Sequence, residues 1–174
     1  MAGSHPGGSS QHSPRDYSRT PINVYWETTQ ACALACRHCR AEAVPTPHPL
    51  ELKFDEGVEL MRQIREFGDP LPQLILTGGD PLARADLYDL IDKARQFGIG
   101  VSITPAATPA LTREVLVSLK EHSVEGLGLS LDGSTAARHD SIRGVPGTFD
   151  RTVQAMHWAK ELEMPLQINT LVAA

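Results

Sequence analysis

The chain has 174 residues, of which 41% are hydrophobic, and a formal net charge of -5. This length and apolar content suffice for one sizeable hydrophobic core, so we expect a single domain. The sequence contains neither a long basic run nor an apolar stretch of the roughly 20 residues that a membrane span needs. It therefore gives no indication of a nucleic-acid or membrane partner.

The chain begins with a segment that is rich in Gly, Ser, Pro and His. Residues 1–19 have no apolar periodicity and predict a disordered N-terminal arm, so the folded domain is expected over residues 20–174. Apolar runs predict strands at residues 22–28, 74–77, 101–104, 126–133 and 166–172. Helical spacing predicts helices at residues 54–67, 86–97, from Thr112 onward, and at 148–162, with a short turn at 135–139.

The predicted elements alternate between strand and helix along the chain. Such alternation predicts right-handed βαβ crossovers and an α/β fold with a parallel sheet. In parallel sheets, ligands bind beyond the carboxyl ends of the strands. Two unusual stretches follow predicted strands one and two, the cysteine run from Cys32 and Gly78-Gly79-Asp80-Pro81, and a third, Ser130-Leu131-Asp132-Gly133, ends predicted strand four. We therefore expect all three at one edge.

All three cysteines lie within eight consecutive positions, with the spacing Cys-x3-Cys-x2-Cys at Cys32, Cys36 and Cys39. Three thiolates in one loop can hold three irons of a cubane cluster and leave the fourth iron open to another ligand. A disulfide framework would favour an even number of cysteines and a secreted protein. A structural zinc site would need a fourth ligand, which His38 or His48 would have to supply.

The paired glycines after the second predicted strand have two interpretations. Glycines without a Cβ let the backbone approach a bound ligand closely. The alternative is an ordinary turn between a strand and a helix. The cysteine run one strand away favours a ligand site.

The two motifs together resemble the radical S-adenosylmethionine (radical SAM) superfamily. The resemblance covers about residues 20–174, with Asp80 at the position where Glu is commoner. It implies a partial (β/α) TIM-like barrel of parallel strands. Because that barrel has six strand-helix units, the sequence is expected to be an N-terminal fragment, truncated after about strand five.

The resemblance also implies cofactors and the residues that bind them. Cys32, Cys36 and Cys39 would hold a 4Fe-4S cluster whose fourth iron is chelated by S-adenosylmethionine. The implied contacts to S-adenosylmethionine are Gly78, Gly79 and Asp80 for the methionine amino group, Ser130 for the ribose, Arg143 for the methionine carboxylate and His38 for the adenine.

The implied activity is that of an oxidoreductase-type radical enzyme in the cytoplasm. It would cleave S-adenosylmethionine reductively to a 5'-deoxyadenosyl radical, with electrons from a flavodoxin or ferredoxin. Residues 23–29 and 139–149 resemble members that carry a cysteine-rich, SPASM-like C-terminal extension, which act on peptides or on tetrapyrroles in heme biosynthesis. The alternative is a non-catalytic fragment that binds iron or zinc through the same cysteines.

Overall fold

The computed structural model describes residues 16–172 and shows an α/β fold. The strands are β1 (Asn23–Thr29), β2 (Gln73–Gly78), β3 (Val101–Ile103), β4 (Gly126–Ser130) and β5 (Leu166–Asn169). The helices are α1 (Phe54–Arg65), α2 (Leu87–Gln96), α3 (Arg113–Glu121), α4 (Ala136–Arg143) and α5 (Thr148–Glu161), and a 3-10 turn covers Pro81–Ala83.

The strands form one open parallel sheet in the order β1-β2-β3-β4-β5, which confirms the predicted fold class. Each strand pairs with the next one along the chain, so that Trp26, Leu76, Ile103 and Leu127 stand side by side across four strands. All five carboxyl ends therefore meet at the same edge of the sheet.

The two faces of the sheet differ in character. One face packs against the helices through side chains with 1% exposure or less: Leu74, Leu76, Val101, Ile103, Leu127 and Leu129. The other face carries polar or small residues such as Tyr25, Ser102, Gly128 and Gln167, which line a groove of about 500 Å³. The hydrophobic core therefore lies on only one side of the sheet.

Helix α1 crosses the sheet at a point where Gly57 faces the ring of Trp26. A Cβ built on Gly57 would lie 2.6 Å from Trp26 Cη2. Alanine is favoured over glycine in a helix by about 1 kcal/mol, but overpacking a core costs about 1–3 kcal/mol. We expect Gly57→Ala to lower the free energy of unfolding by about 1 kcal/mol in urea titrations. In a Trp26→Phe background the same change should be stabilising, and an equal loss in both backgrounds would contradict this contact.

The structure corrects the sequence prediction between β4 and α5. Residues 136–143 form the helix α4 where a short turn was predicted, so the described residues contain five α-helices rather than four. Thr135 caps the start of α4 by accepting a hydrogen bond from the Arg138 amide, and Gly144 ends it with a φ of 74°. The helix is too polar to give a clear apolar periodicity, which is why the pattern did not reveal it.

The chain ends differ in part from the predicted elements. Strand β5 ends at Asn169, three residues earlier than predicted. Most of the predicted disordered arm lies outside the described residues; within them, Asp16 Oδ1 accepts a hydrogen bond from the Ser18 amide at 3.0 Å. Among the helices within residues 16–172, none has the length and apolar character that crossing a membrane requires.

Candidate functional site

A cavity of about 190 Å³ opens at the carboxyl ends of β1 to β4. Eight of the nine residues that the sequence singles out as cluster or cofactor ligands line it: Cys32, Cys36, His38, Cys39, Gly78, Gly79, Ser130 and Arg143. The ninth, Asp80, is buried outside the lining. The larger groove on the polar face of the sheet contains none of the nine, so the chemistry is concentrated in the smaller cavity.

The cysteine loop, defined here as residues 30–44, is closed by main-chain hydrogen bonds. The Cys32 amide donates to the Val44 carbonyl at 2.9 Å, and the Val44 amide donates to the Gln30 carbonyl at 3.0 Å. Glu51 Oε1 accepts hydrogen bonds from the Gln30 amide at 2.8 Å and from Thr29 Oγ1 at 2.7 Å. These bonds tie the base of the loop to the end of β1 and to the segment before α1.

The other side of the cysteine loop docks on the C-terminal end of α4. The Ala35 amide donates to the Arg143 carbonyl at 3.2 Å, and the Arg37 amide donates to the Ile142 carbonyl at 2.9 Å. The last carbonyls of a helix have no partner within the helix, so these loop amides satisfy them. Gly144 is required here because a Cβ would lie 2.4 Å from the Ala35 carbonyl oxygen.

Each of the three cysteine sulfurs accepts one hydrogen bond. The donors are the Leu34 amide to Cys32 at 3.4 Å, the Ala43 amide to Cys39 at 3.3 Å, and Arg143 Nη1 to Cys36 at 3.7 Å. All three thiols are free of disulfides. Burial raises the pKa of Cys32, with smaller contributions from Asp80 and the neighbouring cysteines, while the Leu34 amide opposes the rise. Without metal, Cys32 is therefore protonated at neutral pH, and metal binding there releases a proton.

The Gly78-Gly79 pair lies directly against the chain that leaves β1. The Gly79 amide donates to the Thr29 carbonyl at 2.7 Å, and a Cβ on Gly79 would lie 2.5 Å from the Ala31 carbonyl oxygen. Gly78 has a φ of 131°, and its Cβ would lie 2.4 Å from the Thr29 carbonyl oxygen. Both glycines are thus needed because two backbone segments pass close to each other here. The sequence pattern indicated the approach of a ligand at these glycines and did not predict this contact.

Asp80 is a buried residue, 3% exposed, whose side chain holds the loops after β2 and β3 together. Its Oδ1 accepts hydrogen bonds from the Leu82 amide at 3.1 Å and the Ala106 amide at 3.3 Å, and its Oδ2 accepts one from Thr108 Oγ1 at 2.9 Å. Burial raises the pKa of Asp80, although the three hydrogen bonds oppose the rise. The carboxylate is therefore engaged by the protein itself.

A second buried carboxylate, Asp132, lies beside the cysteine loop. Its Oδ2 lies 2.6 Å from Arg143 Nη2 in an ion pair and 3.7 Å from His38 Nε2. The Asp132 side chain is 1% exposed and that of Arg143 is 13% exposed. Arg143 therefore joins a buried negative charge to the sulfur of Cys36.

The sequence profile of the Radical SAM superfamily matches residues 26–173. The chain belongs to this superfamily. The resemblance inferred from the two motifs is thereby confirmed, and so is the expectation that the chain comes from an enzyme family.

Curated relatives agree with this assignment. The chain is 41% identical over 149 residues to the AdoMet-dependent heme synthase of Oleidesulfovibrio alaskensis, covering 86% of the chain and 38% of the relative. It is 38% identical over 170 residues to the protein of the same name from Nitratidesulfovibrio vulgaris, covering 98% of the chain and 46% of the relative. The radical SAM chain thus spans less than half the length of these curated relatives.

Solved radical SAM structures share the fold. Streptococcus suis SuiB bound to S-adenosylmethionine superposes with a TM-score of 0.74 at 18% sequence identity, over 90% of the chain and 35% of SuiB. Methylornithine synthase superposes with a TM-score of 0.69 at 19% identity, over 86% of the chain and 44% of the synthase. The open five-stranded sheet is therefore a partial barrel of the radical SAM type.

The sequence of this radical SAM chain singled out residues 139–149 by resemblance, but it did not predict the supporting roles of His139 and Asp140 on α4. His139 is fully buried, and its Nδ1 accepts a hydrogen bond from the Asp132 amide at 3.1 Å. Burial and the nearby Arg143 lower the pKa of His139, which keeps the ring neutral at neutral pH. Asp140 accepts hydrogen bonds from the Gly147 and Phe149 amides at 2.6 and 2.8 Å. Besides that resemblance, the capping residues Thr135 and Gly144 are the sequence signals that could have indicated α4.

Proposed function

We propose that this chain is the part of a radical SAM enzyme that activates S-adenosylmethionine. The observation that carries the proposal is the cavity at the carboxyl edge of the sheet, which brings three free thiols together with Gly78, Gly79, Ser130 and Arg143. Solved relatives of the same fold contain bound S-adenosylmethionine, which supports the cofactor.

The cysteine loop suits a 4Fe-4S cluster better than a single metal ion. Each sulfur accepts a hydrogen bond from an N–H group, and such hydrogen bonds stabilise thiolate ligands. Within residues 16–172, no three His, Cys, Asp or Glu side chains converge closely enough to hold one ion. In a cubane cluster each cysteine binds a different iron, so its ligands need not converge on one point. The zinc alternative would require the loop to rearrange.

The remaining lining residues fit the proposed contacts to S-adenosylmethionine. Arg143 would bind the methionine carboxylate, Ser130 the ribose and His38 the adenine end, while Gly78, Gly79 and Asp80 would face the methionine amino group. The Asp80 side chain accepts hydrogen bonds from Leu82, Ala106 and Thr108, and its amide donates to the Ala31 carbonyl at 2.7 Å. Asp80 would therefore contribute through its carbonyl, which accepts one hydrogen bond from the Ala83 amide and has a second lone pair. When bound, the cluster supplies one electron for homolytic cleavage of the sulfonium, which yields methionine and a 5'-deoxyadenosyl radical.

The substrate that fits the comparisons best is a tetrapyrrole precursor of heme. Identity to relatives named AdoMet-dependent heme synthase is 41% and 38%, whereas it is 34% to the mycofactocin maturase MftC of Mycobacterium tuberculosis and 28% to the PqqA peptide cyclase of Rhodopseudomonas palustris. A peptide substrate is the second class, since the relatives also include peptide cyclases.

The electron donor in this proposal is a small flavodoxin or ferredoxin in the cytoplasm. The cysteine loop presents Arg37 and Arg40 to solvent, with Arg40 Nη2 at 2.6 Å from Glu27 Oε1. Exposed basic side chains beside a cluster favour the approach of an acidic redox partner. Free thiols also fit a reducing compartment.

The test is anaerobic reconstitution of the chain with iron and sulfide, followed by dithionite reduction and addition of S-adenosylmethionine. We expect about four irons per chain and the release of 5'-deoxyadenosine, measured by chromatography. Cys36→Ser should abolish both, because one cluster ligand is lost.

Arg37→Gln is the matched control for the cysteine variant. Arg37 neighbours Cys36, but only its backbone contacts α4, and its side chain is exposed. With dithionite as reductant, this variant should retain both iron and product. A stable cluster without 5'-deoxyadenosine would support the non-catalytic fragment, and zinc uptake without iron would overturn the cluster.

A further inference from the structure

The buried pair formed by Asp132 and Arg143 has no part in the proposed binding of the cluster iron. We infer that this pair sets the reduction potential of the cluster: Arg143 raises the potential through its hydrogen bond to Cys36, and Asp132 lowers it by offsetting part of the positive charge of Arg143. The inference rests on the proposed function, because it requires that Cys36 binds a cluster.

The positive charge of Arg143 lies next to the Cys36 sulfur, and the negative charge of Asp132 lies behind it. Arg143 Nη1 lies 3.7 Å from Cys36 Sγ, and Arg143 Nη2 lies 2.6 Å from Asp132 Oδ2. Both side chains are largely removed from water, with exposures of 13% and 1%. Charges in such surroundings act on their neighbours more strongly than charges at the surface, because the local dielectric constant is lower.

Asp132 is held in place independently of Arg143. Its Oδ1 accepts a hydrogen bond from the Leu171 amide at 3.0 Å, and its own amide donates to His139 Nδ1 at 3.1 Å. His139 is fully buried, so it cannot swing away. The negative charge of Asp132 is therefore held in place beside the guanidinium.

Arg143 is also anchored through its main chain. Its carbonyl accepts the hydrogen bond from the Ala35 amide, one residue before Cys36. The end of α4 and the cysteine loop therefore move together. For this reason we expect the guanidinium to stay near Cys36 when the charge of Asp132 is removed.

The expected effects on the potential follow from charge. Reduction adds an electron to the cluster, so a cation bonded to one of its sulfurs stabilises the reduced form and raises the potential. A carboxylate nearby has the opposite effect. Removing the positive charge and removing the negative charge should therefore shift the potential in opposite directions.

The experiment is an EPR-monitored redox titration of the reconstituted chain without S-adenosylmethionine. Arg143→Gln should shift the midpoint potential to more negative values, and Asp132→Asn to more positive values. The double variant should lie between the two. Shifts in the same direction, or no shift in either variant, would refute the inference.

Two control variants on α4 separate an effect of charge on the potential from an effect of misfolding. Asp140→Asn and Arg138→Gln make the same chemical changes at residues that do not contact a cysteine, and they should leave the potential unchanged. If Asp132→Asn takes up no cluster while Asp140→Asn does, Asp132 is needed for structure alone and the inference is wrong. If Arg143→Gln takes up no cluster, Arg143→Lys can be tested instead, because it keeps the positive charge. Its midpoint potential should remain close to that of the unsubstituted chain. A clear negative shift of the potential in Arg143→Lys would also refute the inference. Absence of a cluster in the unsubstituted chain would instead refute the proposed function.

Discussion

Gly79→Ala is expected to remove most of the iron that the reconstituted chain binds and to lower the free energy of unfolding by about 3 kcal/mol. The added Cβ would lie 2.5 Å from the Ala31 carbonyl oxygen and 2.6 Å from that of Gln30. Both contacts are with backbone, which cannot rotate away as a side chain can. The substitution would push the start of the cysteine loop out of place, since Cys32 follows Ala31 directly. Iron analysis and urea denaturation measure the two effects.

Gly68→Ala provides the control for this glycine substitution. Gly68 has a φ of 73° and no atom within 4 Å of a Cβ built on it. Alanine there should cost only about 1 kcal/mol of left-handed backbone strain and leave the iron content unchanged. Equal iron content in the Gly79 and Gly68 variants would show that the loop does not depend on the close passage at Gly79.

Asp80→Ala is expected to lower the free energy of unfolding by about 3 kcal/mol, as much as Gly79→Ala, because it leaves the buried donors of Leu82, Ala106 and Thr108 without an acceptor. Asp80→Asn has nearly the same shape and can accept from both amides through its Oδ1, while the Thr108 hydroxyl accepts from the new amide. We therefore expect Asp80→Asn to change stability by less than about 1 kcal/mol near neutral pH. It should also keep the affinity for S-adenosylmethionine within about threefold, whereas a large loss would indicate a direct contact of the carboxylate.

The effect of pH distinguishes the Asp80 variants further. Burial raises the pKa of Asp80 in the folded chain above its ordinary value of 3.8. The folded state therefore binds more protons than the unfolded state between that value and the folded pKa, so the unfolding free energy falls as the pH rises through this window. Asp80→Asn removes this loss, and its stability relative to the unsubstituted chain should improve from about pH 4 to about pH 7. Asp150→Asn, at an exposed position, should not show this change.

The sequence predicted the features of the fold that repeat along the chain. Alternating apolar runs indicated five parallel strands, and the topology then placed Cys32, Gly78 and Ser130 at one edge. That step succeeds because the carboxyl ends of parallel strands must coincide, whatever the side chains are. The polar helix α4 was missed, since its stability comes from its caps and from the cysteine loop docked on it.

The roles of single side chains were harder to predict than their location. Asp80 follows two glycines in a motif that indicates a ligand contact, yet its carboxylate bonds to Thr108, 28 residues later. Asp132 and Arg143 pair only because α4 returns the chain to the end of β4. Contacts of this kind depend on three-dimensional packing and produce no periodic pattern in the sequence.

The shape of the cysteine loop is held mainly by peptide groups, through amides such as those of Cys32, Ala35 and Arg37. Hydrogen bonds of this kind are available to any residue except proline. The exposed side chains at Ala33, Arg37 and Arg40 can therefore diverge between related proteins without moving the sulfurs. The surface that the proposed electron donor would recognise can thus vary in sequence while the three sulfurs keep their arrangement.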